Sequence, residues 1–238
     1  MLQILMSVIL EYKHVCKSFG DKVVLQDINL QIPAGKIVGM LGKNGSGKST
    51  LFKLANDLLT ATSGEVLIEG KPVGVDSKQI VSYLPERTYL DSSMRVCDVL
   101  KMFATFYQDF DQDKAEKLLL DLQLDKDMRL AKMSKGMKEK VQLVMVMSRR
   151  AKLYVLDEPL GGVDPASRDY ILKTILKSFN KDATLLISTH MIADIEKILD
   201  EVIIIDNASI VLHENAEKLR KQEKCSIDEV FRRRFYVK

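Results

Sequence analysis

The residues that most constrain this chain are Gly42-Lys43-Asn44-Gly45-Ser46-Gly47-Lys48-Ser49-Thr50. They complete the pattern G-x-x-x-x-G-K-[ST], in which glycines let backbone N–H groups turn inward around phosphate oxygens. The N-terminus of a following helix adds partial positive charge to the same cradle. Lys48 can reach β- and γ-phosphates, and the Ser49 hydroxyl can ligate Mg²⁺. Such a loop works only between a strand and a helix. Lys36–Leu41 reads as a buried strand feeding it, and Ser49–Leu59 reads as the helix after it. An α/β chain that binds a nucleotide follows from these residues.

The rest of the chain fits that frame. Short β-type runs, Val8–Tyr12, Val23–Leu25 and Ile28–Ile32, open it, separated by turn residues at Phe19-Gly20-Asp21 and Pro33-Ala34-Gly35. Gly64–Gly70 is a further strand bounded by glycines. From about Val96 to Met147 the pattern is mostly helical, with Ala115, Leu118, Leu119 and Leu122 on one face. Leu153–Leu156, Ala183–Ser188 and Val202–Ile205 are continuous apolar or β-branched runs, as expected of parallel strands covered on both faces. Asp164-Pro165 between them is a helix start, with Asp at the N-cap and Pro at the first helical position. The alternation on both sides of a helical stretch predicts a parallel-sheet core with a helical insertion.

Leu153-Tyr154-Val155-Leu156-Asp157-Glu158 is an apolar strand ending in two acids. Beside a phosphate loop, Asp157 can hold Mg²⁺ through its waters. Successive strand side chains point to opposite faces, so Glu158 is aimed elsewhere, where a carboxylate can take a proton from an attacking water. A GTPase would need Asn-Lys-x-Asp to read its base, and Asn180-Lys181-Asp182-Ala183 has the wrong fourth residue. A small-molecule kinase is compatible with the loop alone but would not need the motifs that follow.

Composition narrows the classes. Hydrophobic residues are 46% and charged residues 29% of 238, which excludes a disordered chain. A net charge of +3 is too weak to argue for nucleic acid, and none is expected as a partner. The cysteines Cys16, Cys97 and Cys225 are scattered, which suits neither a disulfide framework nor a zinc site and points to a reducing, cytosolic compartment. No apolar run approaches a membrane span. Leu2–Leu10 is short, interrupted by polar residues and without a basic lead, so it does not read as a signal peptide. Met6 is an alternative start.

At Met133-Ser134-Lys135-Gly136-Met137, upstream of the acidic strand, the chain resembles the ATP-binding subunit of an ABC transporter. The likeness runs from about Val8 to Phe231, with several motifs in the family's order. It implies a P-loop NTPase fold: a RecA-like parallel core, an N-terminal antiparallel β portion and an inserted α-helical subdomain. It implies one ATPase domain over 8–231, with core 8–86 and 151–206, insertion about 87–150, and a hairpin and tail over 207–238. It also implies ATP and Mg²⁺ as cofactors. Phe19 takes the place of an aromatic that stacks on adenine. Ser134, Lys135, Gly136 and Met137 stand in the signature loop. Asp164, in Gly161-Gly162-Val163-Asp164, stands in the loop that crosses the dimer interface, and His190 in the switch that contacts the γ-phosphate. In the family, two subunits pair head to tail and enclose two ATP molecules. Ser134 and Gly136 precede a helical pattern and can present a hydroxyl and N–H groups to an anion.

The departures carry information too. Lys135 stands where the family has Gly, and Met137 where it has Gln. Ser-Lys-Gly-Met resembles the branch whose membrane partners are separate polypeptides, often exporters. Glu86, in Tyr83-Leu84-Pro85-Glu86, replaces a Gln that touches Mg²⁺ and the lytic water; a carboxylate there can still ligate a hard cation. The final hairpin, Asn207-Ala208-Ser209, lacks a common glycine. The resemblance places a membrane partner's docking helix on the stretch after Glu86 that holds Tyr89, Leu90, Met94, Val96 and Val99. The tail Phe231-Arg232-Arg233-Arg234-Phe235 reads as solvated, with charge that could touch anionic lipid headgroups.

The expected function is therefore an ATPase subunit, peripheral on the cytoplasmic face of the membrane. It would pair with a second such subunit, identical or paralogous, and drive a separately encoded permease, export being favoured. Glu158, His190 and Lys48 would carry the chemistry, with Ser49, Asp157 and Glu86 at the metal. The rivals are a soluble ABC-type ATPase acting on nucleic acid or the ribosome, which usually carries a coiled coil, zinc cysteines or tandem domains, and a nucleotide sensor with little hydrolysis.

Overall fold

The computed structural model describes residues 7–161 and 163–236. The alternative start Met6, the apolar stretch before Ser7 and Gly162 lie outside the described residues.

Two twelve-residue strands open the chain, β1 (Val8–Phe19) and β2 (Lys22–Pro33), paired antiparallel around the Gly20-Asp21 turn. The runs Val23–Leu25 and Ile28–Ile32 are one strand rather than two. Asp27 between them takes φ 46°, and facing His14 takes φ 49°, so the ladder shifts register without breaking. Then come β3 (Ile37–Leu41), α1 (Lys48–Ala55), β4 (Ser63–Ile68) and the short β5 (Lys71–Pro72). Helix α1 stops before the expected Leu59. The Asn56 amide bonds back to the Phe52 carbonyl at 2.7 Å, and Asp57 turns to φ 52°. Both residue types compete with helix propagation through local hydrogen bonds and tolerate the left-handed conformation.

The middle of the chain supplies α2 (Val75–Ile80), β6 (Val81–Leu84), α3 (Val96–Phe106), α4 (Gln112–Asp121) and α5 (Lys135–Met147). The rest alternates: β7 (Leu153–Asp157), α6 (Pro165–Ser178), β8 (Thr184–Thr189), α7 (Ile192–Ile195), β9 (Glu201–Asp206), β10 (Ser209–Asn215), α8 (Ala216–Glu223) and α9 (Ile227–Tyr236).

The strands form two sheets. One is antiparallel, in the order β2-β1-β4-β5. The other runs β10-β9-β3-β8-β7-β6 and is parallel except for the edge strand β10. Every residue of β7 and β8 is buried, as parallel strands covered on both faces require. Their side chains alternate between two cores. Val38, Met40, Leu153, Val155 and Leu186 face the antiparallel sheet and α1, whereas Leu41, Tyr154, Leu156, Leu185 and Ile187 face the helical side. The Tyr12 hydroxyl, fully buried, donates to the Leu51 carbonyl at 2.9 Å and ties the first sheet to α1.

The helical part behaves as its periodicity predicts: Ala115, Leu118, Leu119 and Leu122 are all buried. Its first helix starts where the pattern does. Residues 87–95 are turns and irregular chain, and the helix begins at Val96. Leu90, Val96 and Val99 are core residues and cannot form a docking surface, because the apolar face of α3 is used up inside the protein; of the five named, Tyr89 alone is strongly exposed. The helical part is tied to the core sheet by Arg149, a buried guanidinium that reaches Asp109 and three backbone carbonyls near β6.

The C-terminus also differs from a solvated tail. Ile227 and Phe231 of α9 are buried in the helical-side core and Phe235 packs against it, while Arg232, Arg233 and Arg234 face outward. The i, i+4 spacing of the apolar residues makes one face, which docks. Among the described residues no helix is long and apolar enough to cross a membrane.

Candidate functional site

The phosphate loop leaves the end of β3, in the middle of the parallel sheet, and enters α1. Two glycines are obligatory there. Gly47 sits at φ 112°, and a Cβ on it would stand 2.8 Å from Leu25 Cδ2 and 3.1 Å from the Val24 carbonyl oxygen. A Cβ on Gly42 would meet Ser46 Oγ at 2.5 Å and the Ile205 oxygen at 2.7 Å. The loop is thus wedged between β2 and β9, with its backbone fixed from behind.

Lys48 is buried, and its ammonium donates to the Gly42 carbonyl at 2.7 Å and the Lys43 carbonyl at 3.3 Å. Burial lowers its pKa, opposed by the nearby carboxylates of Glu158, Asp157 and Glu86. A desolvated cation whose main partners are carbonyl oxygens is ready for a stronger acceptor, and a phosphate is one. The Ser46 hydroxyl is buried with no hydrogen-bond partner, a second donor in want of an acceptor at this loop.

The acidic strand ends beside it. Asp157 is buried and accepts a hydrogen bond from Ser188 Oγ at 2.6 Å. The next residue, Glu158, turns to φ 51°, an uncommon conformation for glutamate. Its backbone N–H donates to Ser188 Oγ at 3.0 Å and to the Ser188 carbonyl at 3.2 Å. Its carboxylate lies between two partners: Oε2 is 2.8 Å from His190 Nδ1, and Oε1 is 3.8 Å from the Lys48 ammonium. Strand alternation does not set the direction of Glu158, which lies just past the end of β7 in the left-handed conformation. In the sequence Ser188 is only the end of the run Ala183–Ser188.

A cleft of about 1010 Å³ opens over these groups. Its lining includes Asn44–Gly45 and Gly47–Thr50 of the loop, Glu158 and His190, together with Glu86, Lys135 and Glu139. Thus the loop, the glutamate, the histidine, Glu86 and one residue of the Ser134–Met137 segment come together in one chain. Glu139 was missed in the sequence. Its Oε2 is buried with no partner, and desolvation raises its pKa against the pull of Lys135, 3.7 Å away.

The remaining expected residues lie outside the cleft lining. Phe19 ends β1 with its ring about half exposed and the Lys17 ammonium 4.9 Å from the ring centroid. Ser134 caps α5, accepting from the Met137 N–H at 3.2 Å, and the Met137 side chain packs on the helical core. Gly136 has open space around it: a Cβ there would meet nothing within 4 Å. Asp164 is exposed and caps α6, accepting from the Ser167 N–H at 3.1 Å.

Ser49, Asp157 and Glu86 offer one hydroxyl and two carboxylates, the donor chemistry a hard cation takes. Among the described residues no three His, Cys, Asp or Glu side chains are grouped to hold a metal by themselves. The donor set therefore fits an ion that completes its shell with phosphate oxygens and water, as Mg²⁺ does.

Comparison with known proteins agrees with this architecture. The family model described as ABC transporter matches residues 25–161. The lantibiotic transport ATP-binding protein SrtF of Streptococcus pyogenes is 30% identical over 224 residues, covering 88% of this chain and 95% of that protein. The Nod factor export ATP-binding protein I of Cupriavidus metallidurans is 27% identical over 235 residues, covering 95% of this chain and 78% of that protein. The solved structure of an ATP binding subunit of an ABC transporter superposes with a TM-score of 0.83 at 28% identity, over 94% of this chain and 98% of that one. The chain therefore belongs to the ABC transporter family, as an ATP-binding subunit of the kind that hydrolyses ATP to drive transport.

Proposed function

We propose that this subunit hydrolyses Mg-ATP with Glu158 as the base, His190 and Lys48 on the γ-phosphate side, and the loop Gly42–Thr50 as the cradle. The observation that carries this is the convergence of Lys48, Glu158 and His190 in one cleft, with the Glu158 carboxylate between the other two. ATP draws the Lys48 ammonium away from the Gly42 and Lys43 carbonyls onto its β- and γ-oxygens. Glu158 takes the proton of the attacking water as its oxygen bonds to the γ-phosphorus, while the bond from that phosphorus to the β,γ-bridging oxygen breaks and ADP leaves with its electron pair. The Glu158 carboxylate 2.8 Å from Nδ1 orients the His190 ring at the cleft. Ser49, Asp157 and Glu86 would hold Mg²⁺, which neutralises phosphate charge when bound.

We infer further that two subunits close on two ATP molecules. Ser134, Lys135, Gly136 and Met137 of one would face the nucleotide of the other, Phe19 would stack on the base, and Asp164 would sit at the interface. The open space at Gly136 and the exposure of Lys135 support this, since both can approach a partner. In this reading residues 8–231 are one ATPase unit with its insertion at about 87–150. It sits at the cytoplasmic face of the membrane beside a separately encoded permease. The name of the Nod factor relative favours export.

The test is Glu158→Gln. The amide keeps the shape and the ATP site but cannot accept the water's proton. ATP binding should stay within a few-fold of wild type and phosphate release should fall at least ~100-fold, the scale of a lost general base. Normal turnover in this variant removes Glu158 from the chemistry.

A further inference from the structure

Lys43 is the second residue of the phosphate loop, and the sequence leaves its side chain two directions: toward bound phosphate or away from it. In the structure its ammonium lies over the ring of Phe235, 5.1 Å from the centroid. That ring belongs to α9, almost two hundred residues along the chain. Phe235 is itself set by Phe231, with ring centroids 4.4 Å apart. Phe231 and Ile227 are buried, so the face Ile227, Phe231, Phe235 is seated on the protein. The Asp228 N–H donates to Glu196 Oε2 at 3.1 Å and Arg234 donates to the Val211 carbonyl at 3.4 Å, holding both ends of the helix. Between α9 and the loop lies a cavity of about 660 Å³, bordered by Gly42, Asn44, His190, Asp228 and Arg232. The helix therefore reaches across a gap to the loop through aromatic side chains rather than lying flat against it.

The backbone of Lys43 is in the site proper, because its carbonyl accepts from the Lys48 ammonium at 3.3 Å. A tether on the Lys43 side chain thus acts on the loop that holds Lys48. We propose that Phe235 is a positioning residue for ATP binding: by holding Lys43 against α9 it sets the phosphate loop before the nucleotide arrives. A cation held on an exposed aromatic face contributes enough to change affinity about two- to fivefold. Because Glu158, His190 and Lys48 are untouched, the effect falls on binding rather than on the chemical step. The proposal rests on the Gly42–Thr50 loop being the ATP site.

The experiment uses the full chain with Phe235→Leu, which keeps an apolar side chain to seat α9 but removes the ring face. ATP binding by calorimetry and steady-state phosphate release are measured together. The dissociation constant and KM should rise about two- to fivefold with kcat unchanged. Phe235→Tyr should restore wild-type values. In a Lys43→Met background, Phe235→Leu should have no further effect. Wild-type affinity in Phe235→Leu overturns the proposal. So does an equal loss in the Lys43→Met background, or a fall in kcat with KM unchanged. Lys48→Ala is the control for the site itself. If it loses ATP binding while Phe235→Leu does not, the tether fails and the site stands; if it binds normally, the site assignment fails as well.

Discussion

Arg149→Ala should be among the most destabilising single changes outside the nucleotide site. The guanidinium is 3% exposed and makes five hydrogen bonds. Nε and Nη2 reach the two Asp109 oxygens at 3.0 and 3.2 Å. Nη1 reaches the Val81 and Lys78 carbonyls at 2.6 and 3.2 Å, and Nη2 reaches the Gln79 carbonyl at 2.7 Å. Its plane also lies 3.9 Å from the Tyr107 ring centroid. Removing one partner of a buried ion pair costs about 3–5 kcal/mol. Asp109 is 24% exposed, so water rescues part of its charge and the lower end, about 3 kcal/mol, applies. In a domain of this size each kcal/mol moves Tm by about 2–4 °C, so the expected fall is about 6–12 °C. Urea unfolding followed by circular dichroism gives the free energy, and thermal scans give Tm. Arg149→Lys keeps the charge but not the planar fork, and should recover no more than about a third of the loss. A loss below about 1 kcal/mol for Arg149→Ala would refute the reasoning, because it would mean that the five bonds are replaced by water at no cost.

Two other changes separate fold from function. Gly136→Ala meets nothing in this chain and sits in the first turn of α5, where alanine favours the helix by about 0.5–1 kcal/mol. The variant should be as stable as wild type or more so, yet lose phosphate release if Gly136 lets a partner's ATP approach; full turnover would remove close approach at that residue. Glu139→Gln tests the buried carboxyl with a raised pKa. A raised folded-state pKa means that this group's contribution is full below the unfolded pKa and is lost as pH rises through the folded one. The neutral amide should therefore be more stable than wild type at pH 7, with the difference vanishing as pH falls through the carboxyl range. Equal stability curves from pH 4 to 8 would show that the Glu139 charge costs nothing.

What the sequence made legible was what depends on neighbours in the chain. The loop Gly42–Thr50 is contiguous, and its glycines answer to local geometry. The strands β7, β8 and β9 sit in a doubly covered sheet, so burial on both faces leaves an unbroken apolar run. Other features depend on pairings across the fold. Ser188 matters because β8 lies beside β7, which puts its hydroxyl on both Asp157 and Glu158. Arg149 belongs to no motif, and its role appears only where its guanidinium meets the Lys78, Gln79 and Val81 carbonyls across the fold. The early end of α1 came from side-chain hydrogen bonding at Asn56, which apolar periodicity does not register. The basic tail misled because three arginines outweigh two phenylalanines in composition, whereas in a helix the phenylalanines share a face and decide where it goes.

The order of strands in the parallel sheet bears on synthesis of the chain. Strand β3, which carries the phosphate loop, has its two partners at Thr184–Thr189 and Glu201–Asp206. A ribosome adding roughly 5–20 residues per second therefore leaves the loop without either flank for about 7–27 seconds. Throughout that interval the apolar run Ile37–Leu41 has no strand to pair with on either side. The ligand site thus hangs on an apolar strand that neither neighbour covers until the ribosome has passed Thr184.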